Sequence, residues 1–284
     1  MNQEQLVIFD YSGTLSREAV MFARPESLMK HLKESGLFDL GVENLDHFWE
    51  EIVNSTWEQG STTGIGYTGL IVKRLLELSQ SGDAQERHSA ISAASSRFVN
   101  AYFTHSAPDR RWQPLLAKLV FHPRTIVIVA TDHYAEATDY IARFLENLGI
   151  PAKSVREIFT EPADNAAVIA NSADVGHPKA DCRFWKVIKS QLDLRNIRRV
   201  LYVDDFGCNE QEGDGYGNIA RVEARKETTT TVLTEVFPGE VTVLPFLIGH
   251  AGSETPSFDR EDQAYVRLID TTIQQIETWL ADDP

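Results

Sequence analysis

Two kinds of apolar pattern alternate along the chain. Leu6-Val7-Ile8-Phe9, Thr125-Ile126-Val127-Ile128-Val129-Ala130, Arg199-Val200-Leu201-Tyr202-Val203 and Glu240-Val241-Thr242-Val243-Leu244 are short, mostly apolar and rich in β-branched residues. Such runs predict strands covered on both faces, the habit of parallel sheets. The first three deliver polar residues at their C-terminal ends: Asp10, Thr131, and the pair Asp204-Asp205. Helical spacing between them predicts helices over 134–148, ended by Gly149 and Pro151, over 180–192, and within 218–237. A short edge strand is expected around 155–159. Over 259–280, Tyr265, Leu268, Ile269, Ile273, Ile276 and Leu280 share one face of an amphipathic helix that closes the core.

Residues 16–115 behave differently. Leu28 with Leu32, Phe48 with Ile52, Leu70 with Val72, Leu75 and Leu76, and Ile91 with Phe98 mark helices without a strand signal. Roughly 100 residues of inserted helix is enough for a second domain. The expected organisation is therefore an α/β core, three-layer and Rossmann-like with a parallel sheet, from residues 1–15 and 116–284, and an all-helical cap from 16–115. In such cores ligands bind outside the carboxyl ends of the strands, where Asp10, Thr131, Asp204 and Asp205 fall.

Composition narrows the functions. With 284 residues, 42% of them hydrophobic and 10% aromatic, the chain can build a real core and does not read as disordered. Asp and Glu number 42 against 27 Lys and Arg, a formal charge of −15, which argues against nucleic acid or an anionic membrane as partner. An enzyme of this charge that handles phosphate must bring positive charge locally. Two cysteines, Cys182 and Cys208, allow at most one disulfide, which excludes a disulfide-stapled scaffold, and neither sits in a C-x-x-C pair, which argues against a structural zinc site. The N-terminus lacks a signal-peptide pattern, and no run approaches the roughly 18 apolar residues of a membrane span. The expectation is a cytoplasmic monomer or homodimer.

Asp10 stands where a carboxylate nucleophile belongs, at a strand end followed by a tight turn that Gly13 permits. Thr131 is placed to hold a bound oxygen or, alternatively, to cap the next helix. Adjacent carboxylates at a buried strand end repel unless a cation joins them, so Asp204-Asp205 point to a hard cation, with pairing to Arg or Lys as the structural alternative. Lys179 lies at the start of the helix before that strand, and Lys186 is its rival.

Together these segments resemble the four motifs of the haloacid dehalogenase superfamily: Asp10-Tyr11-Ser12-Gly13-Thr14-Leu15, the strand ending at Thr131, Lys179, and Asp204-Asp205-Phe206-Gly207-Cys208-Asn209, with Asn209 where a further acid often stands. The resemblance covers residues 5–15 and 120–210, and the superfamily's helical cap matches the insertion. It implies Mg2+ held by the Asp10 carboxylate, the Ser12 backbone carbonyl and Asp205, with Asp204 beside them. It implies an aspartyl-phosphate on Asp10, with Thr131 and Lys179 stabilising charge, and Tyr11, Gly13, Thr14, Asp132 and His133 around a small phosphorylated substrate. His133 is also a candidate base, although a surface position in the first helical turn is the simpler expectation. Phe22 and Tyr11 could line the leaving-group pocket or pack in the core.

One position departs from the pattern. Two residues after the nucleophile, most phosphatases of the superfamily carry an acid worth roughly 10²–10⁴-fold, where this chain has Ser12. The motif is similar to Asp-Lys-Thr-Gly-Thr-Leu-Thr of ion-pumping ATPases, yet no membrane segment accompanies it. Four readings stand: a phosphohydrolase with a good leaving group or another base, a phosphonate hydrolase using Lys30, Lys33 or Lys73, a 2-haloacid dehalogenase, and a non-catalytic binding protein. The dehalogenase motif has an aromatic residue where Ser12 stands. Gly64-Ile65-Gly66-Tyr67-Thr68-Gly69 matches a dinucleotide fingerprint but follows a helical segment, so it reads instead as a flexible loop reaching over the site ahead of a helix over 70–78, or as a plain connector.

Overall fold

The computed structural model describes residues 4–78, 84–157, 165–192, 194–211, 213–248 and 258–282. Among them, six strands form one all-parallel sheet: β1 (Gln5–Phe9), β2 (Thr125–Thr131), β3 (Ala152–Ser154), β4 (Ala167–Asn171), β5 (Arg199–Asp204) and β6 (Glu240–Pro245), in the order β3-β4-β2-β1-β5-β6. β1 is central, with Val7 between Val127 and Leu201 and Phe9 between Val129 and Val203. All five of its residues are buried, as a strand covered on both faces must be.

The helices are α1 (Arg17–Phe22), α2 (Pro25–Ser35), α3 (Leu45–His47), α4 (Trp57–Thr62), α5 (Gly66–Leu78), α6 (Ala84–His105), α7 (Gln113–Val120), α8 (Ala137–Asn147), α9 (Ser172–Val175), α10 (Cys182–Gln191), α11 (Ile219–Val236) and α12 (Phe258–Ala281). Residues Phe48–Asn54, after α3, wind as a π-helix. Strand alternation sorts the core into two clusters. Val7 and Phe9 pack with Leu116 and Leu119 of α7, Ile141 of α8 and Ile269 and Ile276 of α12, while Leu6 and Ile8 pack with Trp185 and Ile188 of α10 and Leu233 of α11. Helix, sheet, helix is the three-layer Rossmann-like architecture. Everything described between α1 and α7 is helical or loop, and its apolar faces join the cluster on the Val7 side. No helix among the described residues is long and apolar enough to cross a membrane.

Two strand expectations need correction. The edge strand lies at Ala152–Ser154, ahead of the expected 155–159, of which 158 and 159 fall outside the described residues. A second strand, β4, enters between β3 and β2 and has no counterpart in the expectation. Its Ala167-Val168-Ile169-Ala170 core is alanine-rich, and alanine favours helix over strand. Pairing on both sides overrides that preference.

Candidate active site

The crossing from β4 back to β5 places β5 beside β1, so the carboxyl ends of β1, β2 and β5 adjoin, and the site assembles there. Asp10 follows β1 and is 5% exposed; Asp204 and Asp205, at the end of β5, are each 2% exposed. Donor oxygens of the three carboxylates all lie within 4.8 Å of one another. Lys179, 2% exposed, reaches them from the loop before α10: its Nζ donates to Asp10 Oδ1 at 2.5 Å and to Asp204 Oδ2 at 2.8 Å. The lysine is fixed from both sides. Its backbone N–H donates to Asp132 Oδ1 at 2.9 Å, and its carbonyl accepts Trp185 Nε1 at 2.8 Å. Lys186 points elsewhere, its exposed ammonium against Cys182 Sγ at 3.5 Å.

The two aspartates of β5 differ in role. Asp204 is paired: it accepts from Lys179, from the Tyr202 hydroxyl and from the Phe206 N–H. Asp205 has only amides, Gly207 N–H at 3.1 Å and Asn209 N–H at 2.9 Å. The lysine pairing read as the structural alternative is present at Asp204, while Asp205 is left without a cationic partner among the described residues. Burial, then Asp204, then Glu210 push Asp205 up to about 8. Burial alone would lower Lys179, but Asp10 and Asp204 outweigh it and hold its pKa well above the ordinary lysine value. When ionised, three clustered carboxylates facing one ammonium carry two uncompensated negative charges, an oxygen donor set that fits a hard divalent cation.

The loop residues take roles that the sequence reading did not give them. Gly13 has φ +76, and a Cβ there would lie 2.5 Å from Asp205 Oδ2, so glycine is needed for both turn and approach. Its N–H is taken by the Ser16 carbonyl at 2.9 Å rather than facing a bound group. Thr14 is fully buried, and its Oγ1 accepts the Asp205 N–H at 3.1 Å, tying the β1 loop to the β5 loop. Tyr11 packs in the core and donates to the Ser106 carbonyl at 2.5 Å, and Phe22 both packs in that core and lines the cavity beside Asp10. Asp132 serves Lys179, as above, and accepts the Tyr216 hydroxyl at 3.2 Å while bordering the cavity. Asn209 is a staple: its Nδ2 donates to the carbonyls of Gly13 and Phe246, each at 2.9 Å, and its Oδ1 accepts the Ile248 N–H.

Thr131 ends β2 and borders the same cavity as Asp10 and Ser12; it does not cap α8, which begins at Ala137. His133 is 5% exposed, not a surface residue of a first helical turn. Its Nδ1 accepts the Tyr134 N–H at 2.8 Å, so the neutral ring carries its proton on Nε2, 3.0 Å from Tyr102 Oη. Burial lowers its pKa to about 4, and with the Nδ1 lone pair engaged it is no base.

Glu210 escaped the sequence reading, which stopped one residue short at Asn209. Its Oε1 accepts the Ser12 hydroxyl at 2.9 Å, and it lines the cavity with Asp10. Burial, then Asp214, push its carboxyl up to about 8. The glycine-rich segment is also redefined. α5 starts at Gly66, and the Tyr67 and Thr68 amides donate to the Glu136 carboxylate at 2.8 and 3.1 Å. A Cβ at Gly66 would lie 2.7 Å from Glu136 Oε1. The fingerprint's helix N-terminus therefore binds a carboxylate of this chain, and the segment is held rather than free.

No family model matches the sequence, and no curated protein matches it. Among solved structures, a 2-haloacid dehalogenase from Pseudomonas syringae pv. Tomato DC3000 aligns with a TM-score of 0.46 at 20% identity, over 76% of this chain and 84% of that one.

Proposed function

We propose that this protein is a Mg2+-dependent phosphohydrolase that forms an aspartyl-phosphate on Asp10, with residues 16–115 acting as a cap domain over a core of 1–15 and 116–284. The observation that carries the reading is the Lys179 ammonium bonded at once to Asp10 and Asp204, with Asp205 short of a cation beside them. A lone nucleophilic carboxylate would need no such neighbours; a phosphoryl group does, because its oxygens bring negative charge that must be balanced.

Asp10, Ser12, Asp204 and Asp205 are the residues that would hold Mg2+, which supplies charge neutralisation when bound. Asp10 attacks phosphorus through a carboxylate oxygen, the P–O bond to the alcohol breaks, and an acyl phosphate remains on Asp10. Lys179 and Thr131 steady the transferring oxygens. The departing alkoxide takes a proton from Glu210, directly or relayed by the Ser12 hydroxyl, and the resulting Glu210 carboxylate takes one back from the water that releases phosphate. With its pKa raised to about 8, Glu210 holds that proton at neutral pH, which Ser12 alone cannot supply.

The alternatives find less support. A phosphonate hydrolase needs a Schiff-base lysine from the helical segment, but Lys30 lies near Glu34, Lys33 lies over the Phe38 ring and Lys73 bonds Gln59. A 2-haloacid brings a carboxylate, and no lysine or arginine is among the described residues lining the cavity. The test is Asp10→Asn. Metal-dependent turnover of small phosphate esters is expected to vanish with circular dichroism unchanged, and unchanged turnover would refute the reading.

A further inference from the structure

The cavity beside Asp10 runs into the helical segment and encloses about 80 Å³. That is room for a few waters or a small organic group. One chemistry dominates its walls. Trp57, Tyr67, Tyr102, Tyr134 and Tyr216 border it, with Glu210 and Asp214. The rings hold one another in place: Tyr67 and Tyr134 stack at 4.0 Å and 2°, and Trp57 meets Tyr134 at 5.3 Å and Tyr216 at 5.5 Å.

Two further observations point to a ligand. Tyr134, 3% exposed, borders the cavity, and its buried hydroxyl has no hydrogen-bond partner among the described residues. A buried hydroxyl left unpaired is costly, so this one fits a group that arrives with the substrate. The described lining residues also include no lysine or arginine, so nothing there would neutralise an anionic alcohol. A polyol would find too few partners on largely aromatic walls. A plain alkyl group would leave the Tyr134 hydroxyl without a partner. An organic ammonium fits the aromatic walls, because ring faces attract cations, most strongly when water is excluded, and one that carries N–H groups can also meet the Tyr134 hydroxyl.

Resting on the phosphohydrolase reading, we propose that the cavity receives an alkylammonium group, and that the substrate is the phosphate monoester of a small amino alcohol.

The test separates charge from shape. Binding of choline to the full protein, followed by calorimetry, is compared with that of its neutral isostere 3,3-dimethylbutan-1-ol, with ethanolamine as a third probe. One of the two ammonium probes is expected to bind at least about tenfold more tightly than the isostere, and Trp57→Leu is expected to erase that advantage. Tyr134→Phe, which removes only the hydroxyl, should weaken ethanolamine more than choline if the hydroxyl meets N–H groups. Equal or tighter binding of the isostere overturns the proposal, and so does binding of neither ammonium probe. These readouts need no turnover, so they stand apart from the Asp10→Asn test. Ammonium binding without hydrolysis of the corresponding phosphate esters would keep the cation cavity and refute the phosphohydrolase. Hydrolysis of 3,3-dimethylbutyl phosphate as fast as phosphocholine would do the reverse.

Discussion

The Ser12 hydroxyl donates to Glu210 Oε1 at 2.9 Å, a contact between residues 198 positions apart. It brings a carboxyl to the place where the first motif has none, and it does so from the loop after β5. Burial and then Asp214 push the Glu210 carboxyl up to about 8, so it holds a proton to donate below that pH and loses it above.

Glu210→Gln is therefore expected to lower kcat for alkyl phosphates by about 10²–10⁴-fold while barely affecting p-nitrophenyl phosphate, whose leaving group needs no proton. In the wild type, the alkyl phosphate rate should fall as pH rises through about 8, and that limb should disappear in the variant. Equal losses on both esters would assign Glu210 to structure instead.

Lys179→Met should destabilise the metal-free protein by about 3–5 kcal/mol, since it leaves Asp10 and Asp204 buried without their ammonium. Urea denaturation with and without Mg2+ reads this out. Mg2+ should stabilise the variant more than the wild type; no Mg2+ effect on either would argue against a cation at the three carboxylates.

Gly13→Ala should cost about 1–3 kcal/mol for a left-handed alanine and displace Asp205, which its Cβ would touch. The melting temperature should drop, and the increment given by Mg2+ plus beryllium fluoride should shrink. A wild-type increment in the variant would mean that Asp205 does not take part in binding.

Burial keeps His133 neutral by lowering its pKa to about 4 from the ordinary 6.5. The unfolded chain then binds a proton that the folded protein refuses, so stability is whole above about 6.5 and declines as pH falls toward 4. The full effect is roughly 3 kcal/mol. His133→Gln should flatten the dependence of urea stability on pH in that window; an unchanged slope would place the acid sensitivity in other groups.

The sequence by itself determined the strands that carry chemistry and the residues at their ends. Continuous β-branched runs such as 125–131 can bury only as interior strands, and a polar residue at the end of such a run must lie at the sheet's carboxyl edge. That logic located Asp10, Thr131, Asp204 and Asp205, and hydrophobic periodicity located α8, α10, α11 and α12. Local preference failed at β4, where alanines become a strand because β2 and β3 flank them.

Partnership was left to the tertiary structure. Whether Thr14 meets a ligand or the Asp205 amide, whether Asp204 or Asp205 takes the lysine, and whether His133 lies at the surface or under Tyr102 all depend on which loops the sheet order brings together. Glu210 stands beside Ser12 because β5 pairs with β1, a contact encoded in topology and in no local pattern. The aromatic cavity has the same origin: Trp57 and Tyr67 precede Tyr134 and Tyr216 by long stretches of chain, and only packing of the helical segment onto the strand ends gives those rings a common space.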